Sequence, residues 1–444
     1  MIVIASLPGK KSKQIFDDEQ KVVSPGLQGI ALYAKIALAR GKGSLVYDED
    51  GHKYIDFVSG IGVGSIGHCH PRYVKALQRQ AATLTYSSFT TSVRRDFLKL
   101  LSSLLPPSLR RIQLFTSGAE SVEAAFRLAK SVTKKFEFIS FWGGFHGKTG
   151  GVLGLLGDQF KKEMGPFMPG LYQAPFAYCY RCPLKLRYPD CGIACADHLR
   201  QVIKLQTQQQ VAAIIVEPIQ GTAGNVVPPP GFLTRVKEIA KEFNALYISD
   251  EMQTGFGRAG KMWGFEHEGF VPDILTVGKG IGGGFPLSGV ISSDANCSAK
   301  PYANPSGSSS SYGGNPLGSA AGLATLEIIT KEKVVENSRE VGKALFEALL
   351  PFTEKYSFVG EVRGQGLMLG IEMVKDKKTK EPLSTAAAHF IFQECLKRGL
   401  LSMAYSPNIR LIPPLNITKK IALEAAAIFA EVFDLVEKKG LYKN

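Results

Sequence analysis

No window of this 444-residue chain reaches the ~20 consecutive apolar positions that a membrane-spanning helix needs, so no membrane partner is expected. Acidic residues are also short, 39 against 53 Lys and Arg, which leaves a formal net charge of +14. The basic residues are scattered, with no zinc-finger spacing, basic zipper or aromatic RNA-binding signature, and nucleic acid is not an expected partner. The excess charge reads as bulk electrostatics that concentrates anionic small molecules near the surface. The N-terminus lacks the leading positive charge and long apolar region of a signal peptide: the short run Met1 to Leu7 precedes Lys10 and Lys11. The expected compartment is the cytoplasm. Internal repeats and low-complexity tracts are missing too.

Histidine and cysteine are scarce, seven of each. His68, His70 and His146 each sit beside Gly or Pro, which suits structural hydrogen bonding in turns better than metal ligation. Cys69, Cys297 and Cys395 are isolated, whereas Cys179, Cys182, Cys191 and Cys195 share one loop in the order C-x2-C-x8-C-x3-C. Four thiolates in a short loop can close a tetrahedron around zinc or hold an iron–sulfur centre. The second pair departs from zinc-ribbon spacing, which favours a compact loop of reduced or disulfide-paired cysteines with no catalytic role. No metal ligand is assigned.

What the chain does have is core. Hydrophobic residues make up 45% and charged residues 21%, which excludes the composition of disorder and allows more than one lobe. Apolar runs suited to buried strands recur at Ile112 to Thr116, Phe136 to Trp142, Val211 to Glu217, Ala245 to Asp250, Ile274 to Gly278 and Leu287 to Ile291. Helical spacing lies between them, as in Val122, Ala125, Phe126, Ala129 and Val132. The alternation predicts an α/β fold, a mostly parallel central sheet flanked by helices, with a smaller α+β domain. Residues 1–64 are expected to join that small domain, 65–320 to form the large domain, and 321–444 to complete the small one.

Three features converge on one chemistry. Ser117-Gly118-Ala119-Glu120 follows a strand and opens a helix, with Ser117 as N-cap and Glu120 completing a capping box. Such a helix start offers N–H groups to a phosphate, and Gly118 allows close approach. Asp250-Glu251 ends one apolar strand, at the sheet edge where α/β proteins keep ligands, and Lys279 ends the next before the glycine-rich segment Gly280 to Gly284. A lysine with backbone room and partial desolvation is suited to imine formation. Phosphate cradle, imine lysine and a carboxylate for a pyridine nitrogen are the parts that pyridoxal phosphate uses.

The chain resembles the class III aminotransferases along nearly its whole length. The resemblance is carried by Gly67-His68-Cys69-His70-Pro71, Ser117-Gly118-Ala119-Glu120, Phe145-His146-Gly147, Glu217-Pro218-Ile219-Gln220-Gly221, Asp250-Glu251-Met252-Gln253-Thr254-Gly255, Gly278-Lys279-Gly280, Tyr312-Gly313-Gly314-Asn315-Pro316 and Arg410-Leu411-Ile412-Pro413-Pro414-Leu415. It implies a pyridoxal-phosphate transferase of fold type I, with Lys279 as Schiff-base lysine and proton shuttle and Asp250 as pyridinium partner. Gly118 and Ala119 would cradle the phosphate, Phe145 stack on the ring, Met252 pack beneath it and Gln253 reach the ring hydroxyl. His146 and Glu217 are placed with the cofactor. Ser311, where the family has threonine, would touch the phosphate of a neighbouring subunit, which implies a homodimer or a dimer of dimers with shared active sites.

The resemblance also implies that Arg410 binds the substrate α-carboxylate, a planar partner for its guanidinium. Thr222 stands where 4-aminobutyrate and ornithine members have a glutamate that pairs with this arginine, which leans the chain toward α-amino acids. Lys148 stands where those members often carry an arginine for a distal carboxylate, keeping the charge but losing the bidentate fork. The implied activity is transfer of an amino group from an amine or amino acid to a 2-oxo acid. An amino-acid racemase or epimerase is the alternative on the same scaffold.

Overall fold

The structure is a computed structural model that describes residues 4, 6–405 and 407–443, apart from the side chains of 158 and 159. Met1, Ile2, Val3 and Ala5 of the N-terminal apolar run lie outside these residues. The chain divides into two compact units, Arg72–Val335 and Met1–Pro71 with Glu336–Asn444.

The larger unit is built on a seven-stranded sheet. Its strands are β1 (Arg111–Phe115), β2 (Glu137–Phe141), β3 (Leu171–Ala174), β4 (Val211–Val216), β5 (Leu246–Asp250), β6 (Ile274–Val277) and β7 (Ser288–Ser292), in spatial order β1-β7-β6-β5-β4-β2-β3. From β6 across to β3 every pairing is parallel, and only β7 runs antiparallel to its neighbours β6 and β1. Parallel strands covered on both faces need apolar residues at every position, and all six residues of β4, Val-Ala-Ala-Ile-Ile-Val, are buried.

Side-chain alternation sends successive residues to opposite faces. Phe138, Ala213 and Ile215 face a core that includes Val122, Ala125 and Phe126 of helix α1 (Gly118–Thr133). Ile139, Phe141, Ile214 and Val216 face another, shared with helices α2 (Ala194–Gln206) and α3 (Phe232–Glu242). Phe126 stacks on Phe138 at 4.0 Å between centroids, and Phe232 meets Phe141 edge-on at 5.7 Å. Each such buried ring contributes about 1.5–3 kcal/mol of burial, which fixes both helix layers onto the sheet.

Helix α4 (Pro316–Lys331) starts with Pro316 in its first turn under an Asn315 cap that accepts from the Gly318 N–H at 2.8 Å. The expected domain boundary at 320/321 falls inside this helix, whereas the two units part at 335/336. The physical reason is packing: a Cβ on Gly322 would lie 2.6 Å from Phe97, so α4 is seated tightly on the helix Ser92–Ser103 of the larger unit.

The smaller unit joins N-terminal and C-terminal segments through sheet pairing. Leu45–Asp48 pairs antiparallel with Lys53–Asp56, which in turn pairs in parallel with Leu400–Leu401. A second four-stranded antiparallel sheet contains Val359–Gln365, Met368–Met373, Asn408–Leu411 and Met403–Tyr405. The last helix, Lys419–Lys439, is capped by Thr418, whose hydroxyl accepts from the Ile421 N–H. No helix among the described residues is long and apolar enough to cross a membrane.

Candidate active site

Strands that share a direction deliver their C-terminal ends to one sheet edge. There β1 leads through Ser117 into α1, β2 into the turn holding Phe145 and His146, β4 into Glu217, β5 ends in Asp250, and β6 leads through Gly278 to Lys279. The ladder sets Asp250 beside Thr276, three positions before Lys279.

Asp250 is buried, and its Oδ2 lies 2.7 Å from His146 Nδ1, while Oδ1 accepts from the Met252 N–H at 3.1 Å. Burial alone would depress the His146 pKa, but the hydrogen bond to Asp250 and the charges of Asp250 and Glu217 raise it above the ordinary 6.5. An imidazolium at this position supplies a counter-charge to the buried carboxylate. Glu217 is itself pushed up by burial, although it accepts from the Phe145 N–H at 2.9 Å and the Gly221 N–H at 3.0 Å. Those two bonds tie the turn after β2 to the turn after β4.

The start of α1 is held from several sides. Ser117 Oγ accepts from the Glu120 N–H at 3.3 Å, as a capping box requires. The Glu120 carboxylate also reaches one residue further back, accepting from the Thr116 N–H at 3.0 Å and its hydroxyl at 2.9 Å. Its other oxygen accepts from Ser310 at 2.8 Å, and Ser288 Oγ donates to the Ser117 carbonyl at 2.8 Å. Gly147, at φ 123°, packs against this first turn so closely that a Cβ would sit 2.5 Å from the Ala119 Cβ. The Gly118 and Ala119 positions are thus framed by the loop carrying Phe145 and His146.

Met252 fills the space between two glycines. A Cβ on Gly118 would lie 3.1 Å from its sulfur, and one on Gly278 only 2.5 Å. Gln253 is buried, and its Nε2 has no hydrogen-bond partner among the described residues. Lys279 follows in a left-handed conformation, φ 45°, and is half-buried. Phe145 meets Phe160 edge-on at 5.5 Å, and the Lys148 ammonium lies 4.5 Å from the Phe160 ring centroid and 5.9 Å from that of Phe145. Thr222 is half-buried in the turn after Glu217, and Ser311 is exposed in the loop before α4. Arg410 belongs to the smaller unit, where it is buried on the strand Asn408–Leu411 and donates to Met403 Sδ at 3.7 Å.

Sequence reading gave no role to Ser288, Ser310 or Phe160; Ser288 and Ser310 act on residues 171 and 190 positions away, and no local pattern marks them. Glu251 was visible only as the neighbour of Asp250. It is fully buried and accepts from the N–H groups of Gly264 and Phe265 at 2.8 and 2.9 Å and from the Thr254 hydroxyl. This clamps the turn that carries Met252 and Gln253. Of the four clustered cysteines, Cys179, Cys182 and Cys191 lie between β3 and α2 and Cys195 in the first turn of α2, around one small cavity. Burial pushes the Cys195 thiol up to about 11, with the charges of Cys179, Cys182 and Cys191 adding to the effect.

Residues 31–433 match the family described as Aminotransferase class-III. The chain belongs to the class III aminotransferases. This aminotransferase is 36% identical over 420 residues to a protein named "Probable 4-aminobutyrate aminotransferase" from Bacillus subtilis, covering 92% of this chain and 93% of the relative. It is 33% identical to a leucine/methionine racemase from Thermococcus litoralis, covering 87% and 88%. Among solved structures it is similar to a pyridoxal-phosphate-bound amine transaminase from an uncultivated Pseudomonas species, at a TM-score of 0.88 and 30% identity, covering 94% and 98%. The aminotransferase is pyridoxal-phosphate dependent and moves an amino group between an amine or amino acid and an oxo acid.

Proposed function

We propose that Lys279 carries the cofactor covalently and moves the substrate proton, and that Asp250 holds the proton on the pyridine nitrogen. The observation that carries this reading is the buried Asp250–His146 contact at 2.7 Å on a strand end adjacent to the one that leads to Lys279. Both Asp250 oxygens already accept one bond, and each retains a lone pair for a further donor. The unpartnered Nε2 of Gln253 is a buried donor that suits a ring hydroxyl, the α1 start at Gly118 and Ala119 suits a phosphate, and the Met252 sulfur offers an apolar floor. Phe145 supplies a face for the ring, with His146 supporting Asp250 and Glu217 holding the Phe145 turn. Bound pyridoxal phosphate supplies an electron sink that acidifies the hydrogen on the amine-bearing carbon. Borohydride reduction followed by peptide mass spectrometry tests the assignment: an adduct on Lys279 is expected, and an adduct elsewhere, or full activity in Lys279→Ala, overturns it.

The preferred donor in this reading is an α-amino acid. Arg410 takes the α-carboxylate, and Thr222 supplies no carboxylate to occupy that guanidinium. Lys148, held over Phe160, offers a monodentate cation for a distal carboxylate of the oxo acid. A donor and acceptor panel measures this preference. A racemase is the second reading, favoured by the racemase relative and by Thr222. One enantiomer incubated without an oxo acid separates the two, because loss of optical activity without amino transfer is racemisation.

The working unit in this reading is a homodimer, singly or paired, in which Ser311 reaches the neighbouring subunit's phosphate. Tyr312, beside it, is 71% exposed, and Tyr86 and Phe89 are 80% and 83% exposed, large rings of the kind that oligomers cover. Sedimentation of the holoenzyme tests this, and a monomer sinks it. Among the described residues no two cysteines form a disulfide, which suits the reducing cytoplasm.

A further inference from the structure

We propose that Cys179, Cys182, Cys191 and Cys195 form a tetrathiolate site for a single zinc ion, closing as the ion binds. All four line one largely enclosed cavity of about 20 Å³, whose remaining wall is apolar or aromatic, including Tyr178, Leu184, Ile193 and Pro229. No acidic, basic or histidine side chain shares that wall, so sulfur is its only strong donor. Soft thiolates in such a setting select zinc over magnesium or calcium, which need oxygen ligands. The volume is near that of one water-sized sphere and suits one ion, whereas a multi-iron cluster with its sulfides needs more room.

The presentation of the thiols supports the same conclusion. Cys179 opens a short 3-10 turn, Cys179–Arg181, and Cys182 follows it directly. Cys191 is held in a second turn, its N–H donating to the Arg187 carbonyl at 2.9 Å and its carbonyl accepting from Ala194 at 3.1 Å. Cys195 lies in the first turn of α2 and is part of the core against Ala196 and Leu199. One ligand is therefore anchored on the packed domain, and three ride on a loop without strands.

As the side chains stand, no group of three or more His, Cys, Asp or Glu among the described residues is arranged to hold an ion. Binding consequently has to draw the loop sulfurs onto Cys195. The step is an exchange without redox change: each of the four thiols loses its proton to solvent and each sulfur donates a pair to Zn²⁺, leaving a site of net charge −2. Metal binding then orders the loop, and its affinity rises with pH because protons compete for the sulfurs.

The proposal does not depend on the aminotransferase assignments, and metal content is measured separately from cofactor content. Holoenzyme purified without chelator is expected to hold about one zinc per chain by mass spectrometry of the elements. Cobalt exchanged into the unmodified protein is expected to give a sulfur-to-cobalt charge-transfer band and tetrahedral d–d bands in difference spectra. A Cys182→Ser, Cys191→Ser variant should lose zinc on the order of tenfold or more. Cobalt spectra without sulfur bands, iron with labile sulfide, mapped disulfides among these cysteines, or four thiols equally reactive with and without zinc would each overturn it.

Discussion

His146 Nδ1 and Asp250 Oδ2 lie 2.7 Å apart with both side chains 1% exposed, so each group holds the other's charge in a place that water does not reach. Substituting His146→Asn replaces a charged donor by a neutral one. Activity is expected to fall about 10- to 100-fold, which corresponds to about 1.5–3 kcal/mol for a charge-assisted hydrogen bond. His146→Ala leaves Asp250 buried without its partner and is expected to cost about 3–5 kcal/mol of stability. The pH dependence has a defined sign. The folded pKa of His146 is raised above 6.5, so its contribution to stability is complete below that value and is lost as pH rises through the folded pKa. The melting-temperature gap between wild type and His146→Asn should therefore be larger near about pH 6 than near about pH 9, and a gap that widens with pH contradicts this picture.

Gly278 has an extended backbone, φ −173°, so alanine there meets no backbone strain. Its Cβ would instead lie 2.5 Å from the Met252 sulfur, and the methionine must move. Gly278→Ala is expected to weaken cofactor retention about tenfold while costing about 1–3 kcal/mol of stability, the range for overpacked sites. Met252→Ala in the same chain removes the clash and should recover part of both losses. Equilibrium dialysis of pyridoxal phosphate against the single and double variants measures the coupling, and strict additivity would show that the two residues do not compete for one space.

Thr222→Glu places a carboxylate in the half-buried turn after Glu217. If Arg410 reads the α-carboxylate, the new glutamate competes for its guanidinium. The ratio of kcat/KM for an α-amino acid over an ω-amino acid is then expected to fall about tenfold or more, equivalent to at least about 1.4 kcal/mol. An unchanged ratio in a properly folded variant removes Thr222 from the specificity argument.

The strands legible in the sequence were those with an apolar run, among them the edge strand β1, where only Leu114 and Phe115 are buried. β4 and β2 read as apolar runs because every position is buried, and both were foreseen within a residue or two of their observed ends. The edge strand β3, Leu-Tyr-Gln-Ala, buries only its alanine fully and carries no such run. The Ser/Gly-rich stretch Ser306 to Gly318, which runs into α4, carries no apolar run. In the fold it passes back over β1, with a Cβ on Gly313 falling 2.0 Å from the Leu114 carbonyl oxygen, and composition does not report such a return. The helix start at Ser117 was legible for its local spacing. Its brace was not: Ser310 and Glu120 are 190 positions apart, and only the tertiary structure brings them together.

Glu251 is the remaining test of how the site is held. Burial raises its pKa even though Thr254, Gly264, Phe265 and Ser249 all donate to its carboxylate. Glutamine in its place offers one acceptor oxygen, and an NH2 that faces donors. At least one of the Gly264 and Phe265 N–H groups must then lose its partner, at about 1.5–3 kcal/mol for a hydrogen bond to a charged group. The damage should be local as well as global. The turn from Asp250 to Gly255 carries Met252 and Gln253, and Gly255 N–H donates to the Glu251 carbonyl at 3.1 Å, so loosening Glu251 loosens that turn. Glu251→Gln is therefore expected to lower the melting temperature and to speed hydrogen exchange at Gly264 and Phe265, with Asp250 and His146 unaltered in sequence. Normal exchange at those two amides together with normal cofactor retention would show that the clamp is redundant, and that packing of Phe265 and Trp263 alone fixes the turn.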